Sequence, residues 1–171
     1  LVAILALAVT QWYPFTPAAT KEPEQAPADQ PSDQPKIIMV DISGKDDRAA
    51  FAEAVAQASD SDGNARNLLI VDLAQGGGRE AKVGDTVSVH YIGMLKDGPE
   101  FDNSYIRGAP FSFQVGAGEV IAGWEQGIVG MREGGKRALV IPPEYGYGAV
   151  AVGPLPANAT LLFSIELLSI E

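Results

Sequence analysis

The sequence predicts an α+β domain in which a curved antiparallel sheet wraps around one short helix, preceded by a strand–helix extension. Two observations carry this. Large apolar residues alternate with polar ones in short runs over 86–92, 111–115 and 160–170, and glycines separate the runs. That is the pattern of strands buried on one face. Between them, residues 120–128 place Ile121, Trp124 and Ile128 at helical spacing. Many short strands with one short helix are satisfied by a sheet curled over that helix.

The 171 residues, 46% of them hydrophobic, suit one domain with appendages. A net charge of -10 repels phosphate and speaks against a nucleic-acid partner. There is no cysteine and one histidine, His90. Disulfide scaffolds, thiolate zinc sites and Cys/His nucleophiles are therefore excluded, and a Ser-His-Asp triad would rest on His90 alone.

Along the chain, residues 1–13 come first, with an uninterrupted apolar run (LVAILALAV) and then Trp12 and Tyr13. Such a run is too short to span a bilayer by itself, which needs about 20 residues. With its aromatic belt and the acidic stretch beyond, it reads as the end of an uncleaved signal anchor. The expected location is membrane-anchored with the domain outside the cytoplasm. A tail packed on the domain and a cleavable signal peptide are the alternatives. Residues 14–35 are rich in Pro, Ala, Gln and acids, and bury too little to offset their ordering entropy, which predicts a disordered linker. In the 36–67 extension, Ile37, Ile38, Met39, Val40 and Ile42 have strand character, and Phe51, Ala54, Val55 and Ala58 fall on one helical face. The expectation is a strand and helix docked on the main domain.

Residues 68–171 form that domain. Val87, Val89 and Tyr91 share one face of a strand, with Ser88 and His90 on the other; Phe111, Phe113 and Val115 alternate with Ser112 and Gln114. Residues 137–141 read as a further strand, and Leu161, Phe163, Ile165 and Leu167 line one face of the last. Asp97-Gly98 is a turn signal.

Conventional reaction chemistry is sparse. Gly76-Gly77-Gly78 lacks the Lys-Ser/Thr of a phosphate loop. His90 has no acid at triad-like spacing and reads as a hydrogen-bonded strand histidine. Asp102 and Glu144 could be imagined as a glycosidase pair, but nothing near Glu144 would raise its pKa, and surface acids are the better reading. No metal site and no cofactor is expected. Aromatics are plentiful instead: Tyr91, Phe101, Phe111, Phe113, Trp124, Tyr145, Tyr147 and Phe163. Several must be core, and their number leaves room for an open apolar pocket.

Val89-His90-Tyr91-Ile92-Gly93 followed by Asp97-Gly98-Pro99-Glu100-Phe101-Asp102-Asn103-Ser104 resembles the first signature of the FKBP-type peptidyl-prolyl isomerases, the macrolide-binding immunophilins. Pro110-Phe111-Ser112-Phe113, the stretch GAGEVIAGWE over 116–125, Gly134-Gly135-Lys136-Arg137, IPPEYGYG over 141–148 and NATLLF over 158–163 follow in family order. The resemblance covers 69–171.

The resemblance implies an FKBP-like fold and a pocket made by Tyr91, Phe101, Asp102, Phe111, Val120, Ile121, Trp124, Tyr147 and Phe163. Trp124 would be its floor, and Phe101, Phe111 and Phe163 its walls. The Ile121 N–H and the Tyr147 hydroxyl would donate to substrate carbonyls. Asp102 would accept hydrogen bonds from Tyr91 or Arg107, as a structural acid. Arg107 and Leu155 are further substrate-binding candidates. The loop over 149–157 departs from the family, being shorter and carrying Pro154 where an aliphatic residue is common. Expected partners are proline-containing polypeptides, with macrolides as inhibitors. The implied activity is cis–trans isomerisation of X–Pro bonds in folding or unfolded chains. A non-catalytic Pro-motif binding module and a general folding chaperone are the alternatives.

Overall fold

The computed structural model describes residues 37–41, 56, 59–61, 64–96 and 98–171. The apolar tail, the linker and the Phe51–Ala58 helical stripe lie outside these, as does Asp97 of the expected turn.

The strands are β1 (Ile37–Asp41), β2 (Leu68–Ala74), β3 (Thr86–Leu95), β4 (Glu100–Asn103), β5 (Phe111–Gln114), β6 (Lys136–Ile141) and β7 (Leu161–Ile170). They form one sheet in the order β1-β2-β6-β7-β3-β4, with β5 also paired to β3. The long strand β3 holds both short ones, β5 opposite Thr86–Val89 and β4 opposite Ile92–Met94. Burial along β3 follows the expected alternation, with Val87, Val89 and Tyr91 inward and Ser88 and His90 outward. In β7, Leu161, Phe163, Ile165 and Leu167 are buried in the same way. Leu95 N–H reaches the Pro99 carbonyl at 3.3 Å across the connection to β4, so a turn does stand where Gly98 signalled one.

The sheet departs from a purely antiparallel one at a single edge. β1 pairs β2 in parallel, Ile37 opposite Leu68 through Asp41 opposite Asp72. Parallel neighbours need a crossover of a dozen or more residues, which 42–67 supply. This second neighbour makes β2 an interior strand, in keeping with its apolar start at Leu68–Val71. Leu68 and Ile70 enter the main core, whereas Leu69 and Val71 join Ala65, Ala138 and Val140 in a second cluster, with Ile38 packed against it. A strand buried on both faces carries no alternation to read.

Among the described residues of 68–171, two short α-helices join the sheet: α1 (Ser104–Arg107) and α2 (Ala122–Ile128), the latter packed on β6. The expected helix over 120–128 is shorter at its start, because Ile121 is extended (φ -61°, ψ 150°) and acts as the N-cap. Glu125 accepts hydrogen bonds from the Gly116 and Gly118 N–H groups, which ties the incoming loop to the first turn. At the other end, buried Arg137 donates to the Gly127 carbonyl at 2.7 Å and the Val129 carbonyl at 3.1 Å. It also pairs Asp72 at 2.6 Å, so a cation at the helix C-terminus is itself balanced.

Close approach of α2 to the sheet depends on two glycines one turn apart. A Cβ at Gly123 would lie 2.7 Å from Ile141 Cγ2, and one at Gly127 2.6 Å from Leu139 Cδ1. Replacing Gly by Ala in a helix gains about 1 kcal/mol of propensity, but overpacking a core costs about 1–3 kcal/mol. Gly123→Ala and Gly127→Ala are each expected to lower stability, by up to about 2 kcal/mol, read as a lower urea midpoint with an unchanged m-value. A midpoint at or above wild type would show that β6 yields without cost.

Candidate functional site

Seating α2 against the sheet lifts Trp124 into the centre of an aromatic cluster. Tyr91, Phe163 and Phe111 meet its ring edge-on, with centroids 4.9, 5.2 and 6.2 Å away. Phe101 meets Phe163 edge-on at 5.7 Å. Such pairings add about 0.5–1.5 kcal/mol each beyond burial and fix ring orientation. Gly93 makes the two outer rings compatible: a Cβ there would lie 2.8 Å from Phe163 Cε1 and 2.9 Å from Phe101 Cζ.

These rings surround a cavity of about 360 Å³. Its lining comprises Tyr91, Phe101, Asp102, Phe111, Val120, Ile121, Trp124, Tyr147 and Phe163, all nine of the expected pocket residues, together with Gly118 and Glu119. Among the described residues, neither the Ile121 N–H nor the Tyr147 hydroxyl has a protein hydrogen-bond partner. The buried Trp124 Nε1–H is likewise unpartnered. The cavity therefore joins apolar walls to donors that nothing in the domain uses.

The polar edge of the cavity is arranged quite differently. Tyr91 donates its hydroxyl to Asp102, and Arg107 donates to the other oxygen of the same carboxylate. Arg107 also donates to the Tyr91 oxygen at 2.8 Å and lies over the Tyr91 ring at 5.3 Å. Burial, and then the bond to Asp102, hold the Tyr91 phenol above its ordinary pKa, so it stays a neutral donor. The bond to Tyr91 pushes the Arg107 guanidinium further up. Asp102 thus accepts at both oxygens, from Tyr91 and from Arg107.

Two expected substrate-binding residues stand elsewhere. Arg107 does not line the cavity and reaches it only through Tyr91 and Asp102. Leu155 is a correction: it is buried in the main core and does not line the cavity. Val152 and Leu155 exchange backbone hydrogen bonds at 3.0 and 2.9 Å across a tight turn holding Gly153 at φ +55°, which sends Leu155 inward. Val150 and Val152 are the large apolar residues this loop exposes. Glu119 and Gly118 were not singled out as lining residues, although they stand in the 116–125 motif; Glu119 accepts the Gln114 N–H at 3.0 Å. Glu144 lies in the 3-10 turn Pro143–Tyr145 and does not share the cavity with Asp102.

His90 faces outward, 2.9 Å from Ser104 Oγ and stacked on Tyr105 at 4.4 Å. It is a hydrogen-bonded strand histidine outside the cavity. Among the described residues no three His, Cys, Asp or Glu side chains cluster to hold a metal ion, and no helix is long and apolar enough to cross a membrane.

Comparison with known proteins places this geometry. A family model described as FKBP-type peptidyl-prolyl cis-trans isomerase matches residues 77–168. FK506-binding protein 2 of Emericella nidulans is 56% identical over 94 residues, which cover 54% of this chain and 70% of that protein. A FK506-binding protein of Neisseria meningitidis serogroup A is 50% identical over 105 residues, covering 61% of this chain and 96% of that protein. Among solved structures, AtFKBP13 is similar with a TM-score of 0.58 and 40% identity, over 67% of this chain and 98% of that one. FkpA from Escherichia coli gives 0.59 and 40%, over 74% and 60%.

One titration follows from the outer face. Burial, and then the hydrogen bond to Glu166, push the Tyr105 phenol up to about 12. The stabilisation is fully present below the unfolded-state pKa near 10 and is lost as pH rises towards 12, because the unfolded chain ionises first. Tyr105→Phe is expected to flatten the fall in stability over that interval and to remove the highest-pH step in phenolate absorbance. Retention of that step would assign it to another tyrosine.

Proposed function

The chain belongs to the FKBP-type peptidyl-prolyl cis-trans isomerases, and we propose that the cavity floored by Trp124 is where it turns X–Pro bonds of extended or unfolded polypeptide. The activity requires little conventional catalytic equipment. Resonance opposes rotation about the C–N bond by about 18–20 kcal/mol, and an X–Pro bond left to itself takes about tens to hundreds of seconds to interconvert. No proton moves and no covalent bond breaks, so the protein must only bind the twisted amide better than the planar one.

The observation that carries the assignment is the pairing of an aromatic cavity with the unused donors Ile121 N–H and Tyr147 hydroxyl. A planar amide is charge-separated and well solvated by water. Its twisted form has lost resonance and part of its dipole, and is the less penalised of the two on apolar walls. In this reading the proline ring rests on Trp124 between Tyr91, Phe111 and Phe163. The two donors hold flanking carbonyls in a turn, which removes much of the orientational cost. A million-fold acceleration needs about 8 kcal/mol, to be shared between desolvation and orientation.

The relatives are named for FK506, and the same cavity is proposed to take an FK506-type macrolide in competition with peptide. Exposed Val150 and Val152, in the loop that departs from the family, are the residues proposed to alter macrolide affinity. The reading extends to location: the apolar residues 1–9, Trp12, Tyr13 and the acidic, proline-rich stretch beyond support a membrane tether with the isomerase outside the cytoplasm. Slow proline steps limit folding on that side as on the other. The tether is tested by fractionation, with the intact chain expected in the membrane pellet and a chain lacking residues 1–13 in the soluble fraction. Identical partition of the two would sink it.

The activity is measured by cis-to-trans relaxation of a Leu-Pro peptide. Phe101→Ala is expected to lower kcat/KM about tenfold, the equivalent of about 1.4 kcal/mol. Tyr147→Phe removes one hydrogen bond and is expected to cost about two- to tenfold. An FK506-type macrolide should abolish the acceleration. If both variants keep wild-type rates, the reacting site lies outside this cavity. If the wild type binds the peptide without accelerating it, the chain is a Pro-motif binding module.

A further inference from the structure

The one-turn helix α1 touches both faces of the sheet. Its first residue, Ser104, is fully buried, and its Oγ accepts the Tyr91 N–H at 2.8 Å while lying 3.2 Å from the Tyr91 carbonyl and 2.9 Å from His90 Nδ1. Its second residue, Tyr105, lays its ring on His90 with planes 19° apart and donates its hydroxyl to Glu166 at 2.8 Å. Glu166 is in turn 3.4 Å from Lys136. Lys136, Glu166 and His90 are cross-strand neighbours on β6, β7 and β3, so Tyr105 is draped over a polar row outside the core. Its last residue, Arg107, turns the opposite way and holds Asp102 and the Tyr91 hydroxyl.

A single turn of helix has almost no stability of its own, because nucleation is unfavourable and few intrahelical bonds reward it. Asn103 caps it by accepting the Tyr105 and Ile106 N–H groups, and Gly108 closes it at φ +70°. These local bonds set its shape and leave its position to side chains. On the outer face that task falls to Ser104 and Tyr105, since Ile106 is 79% exposed.

We propose that Tyr105 is a positioning residue of the isomerase: anchored on His90 and Glu166 outside the sheet, it holds α1 so that Arg107 locks Asp102 and Tyr91 at the cavity. Tyr105 touches neither the cavity nor Arg107's partners. Its whole contribution to catalysis passes through the Arg107 guanidinium. The inference rests on the cavity being the reacting site and adds a residue that no lining position would reveal.

The experiment is a double-mutant cycle on the 171-residue chain, following kcat and KM for a Leu-Pro peptide with Tyr105→Ala, Arg107→Ala and the pair. Tyr105→Ala is expected to lower kcat/KM about fivefold, and Tyr105→Phe, which keeps the stacking ring, by less. In the Arg107→Ala background Tyr105→Ala should have no further effect, since its route to the site is already gone. Ile106→Ala, on the same turn, should match wild type. Independent, multiplying losses in the pair would overturn the proposal, as would wild-type activity of Tyr105→Ala or an equal loss in Ile106→Ala. If Tyr105→Ala fails to fold, Glu166→Gln and Tyr105→Phe run through the same cycle with the same two outcomes. Phe101→Ala in parallel separates the two readings: if it is silent, the site assignment fails, and if it alone is impaired, only the positioning role of Tyr105 fails.

Discussion

Everything at the cavity depends on how closely α2 sits on β6. Trp124 can serve as a floor for Tyr91, Phe111 and Phe163 only while its backbone is held against the sheet at glycine distance. Gly123 and Gly127 permit that approach, and Arg137 fastens the C-terminal carbonyls of the helix to the strand beneath. Because ring contacts on Trp124 come from three separate strands, a shift of the helix would disturb all of them together. Core packing tolerates such shifts poorly. The helix-on-sheet contact is thus the positional reference for the site.

Charge near the cavity is confined to places where it is already compensated. Asp102 spends both oxygens on Tyr91 and Arg107, Glu125 satisfies two loop N–H groups, and Glu119 takes the Gln114 N–H. Unpaired hydrogen-bonding capacity is left instead on neutral donors, Ile121 N–H and the Tyr147 hydroxyl. That division suits rotation of an amide, where a free carboxylate would solvate the planar, charge-separated form.

Alternation made the strands with one buried face legible, β3, β5 and β7 above all, whereas the number of aromatics only left room for a pocket and its lining residues were implied by the family resemblance. Four features were not legible. β1's parallel pairing left no mark, because β2 is buried on both faces and its apolar run has no period. The helix α1 is too short to show periodicity and is specified by a cap, Asn103, and a stop, Gly108. Leu155 stood as a substrate-binding candidate by resemblance, and only the turn between Val152 and Leu155 decides that it points inward. Tyr105 lacked a sequence signal for another reason: its partners, His90 and Glu166, are distant along the chain.

The parallel edge strand also separates two boundaries that are easily taken as one. The family match begins at residue 77, after β2 has ended. A chain cut there would lose β1 and β2 together. Most of the second cluster would vanish, Ala65, Leu69 and Val71 included, and Ala138 and Val140 would face water along an unpaired β6 edge. An apolar open edge of that kind recruits other chains. The matched segment is thus smaller than the sheet, which also takes in β1 and β2. Ahead of the matched segment, β2 covers the β6 edge and β1 in turn covers β2, so that apolar edge is not left open.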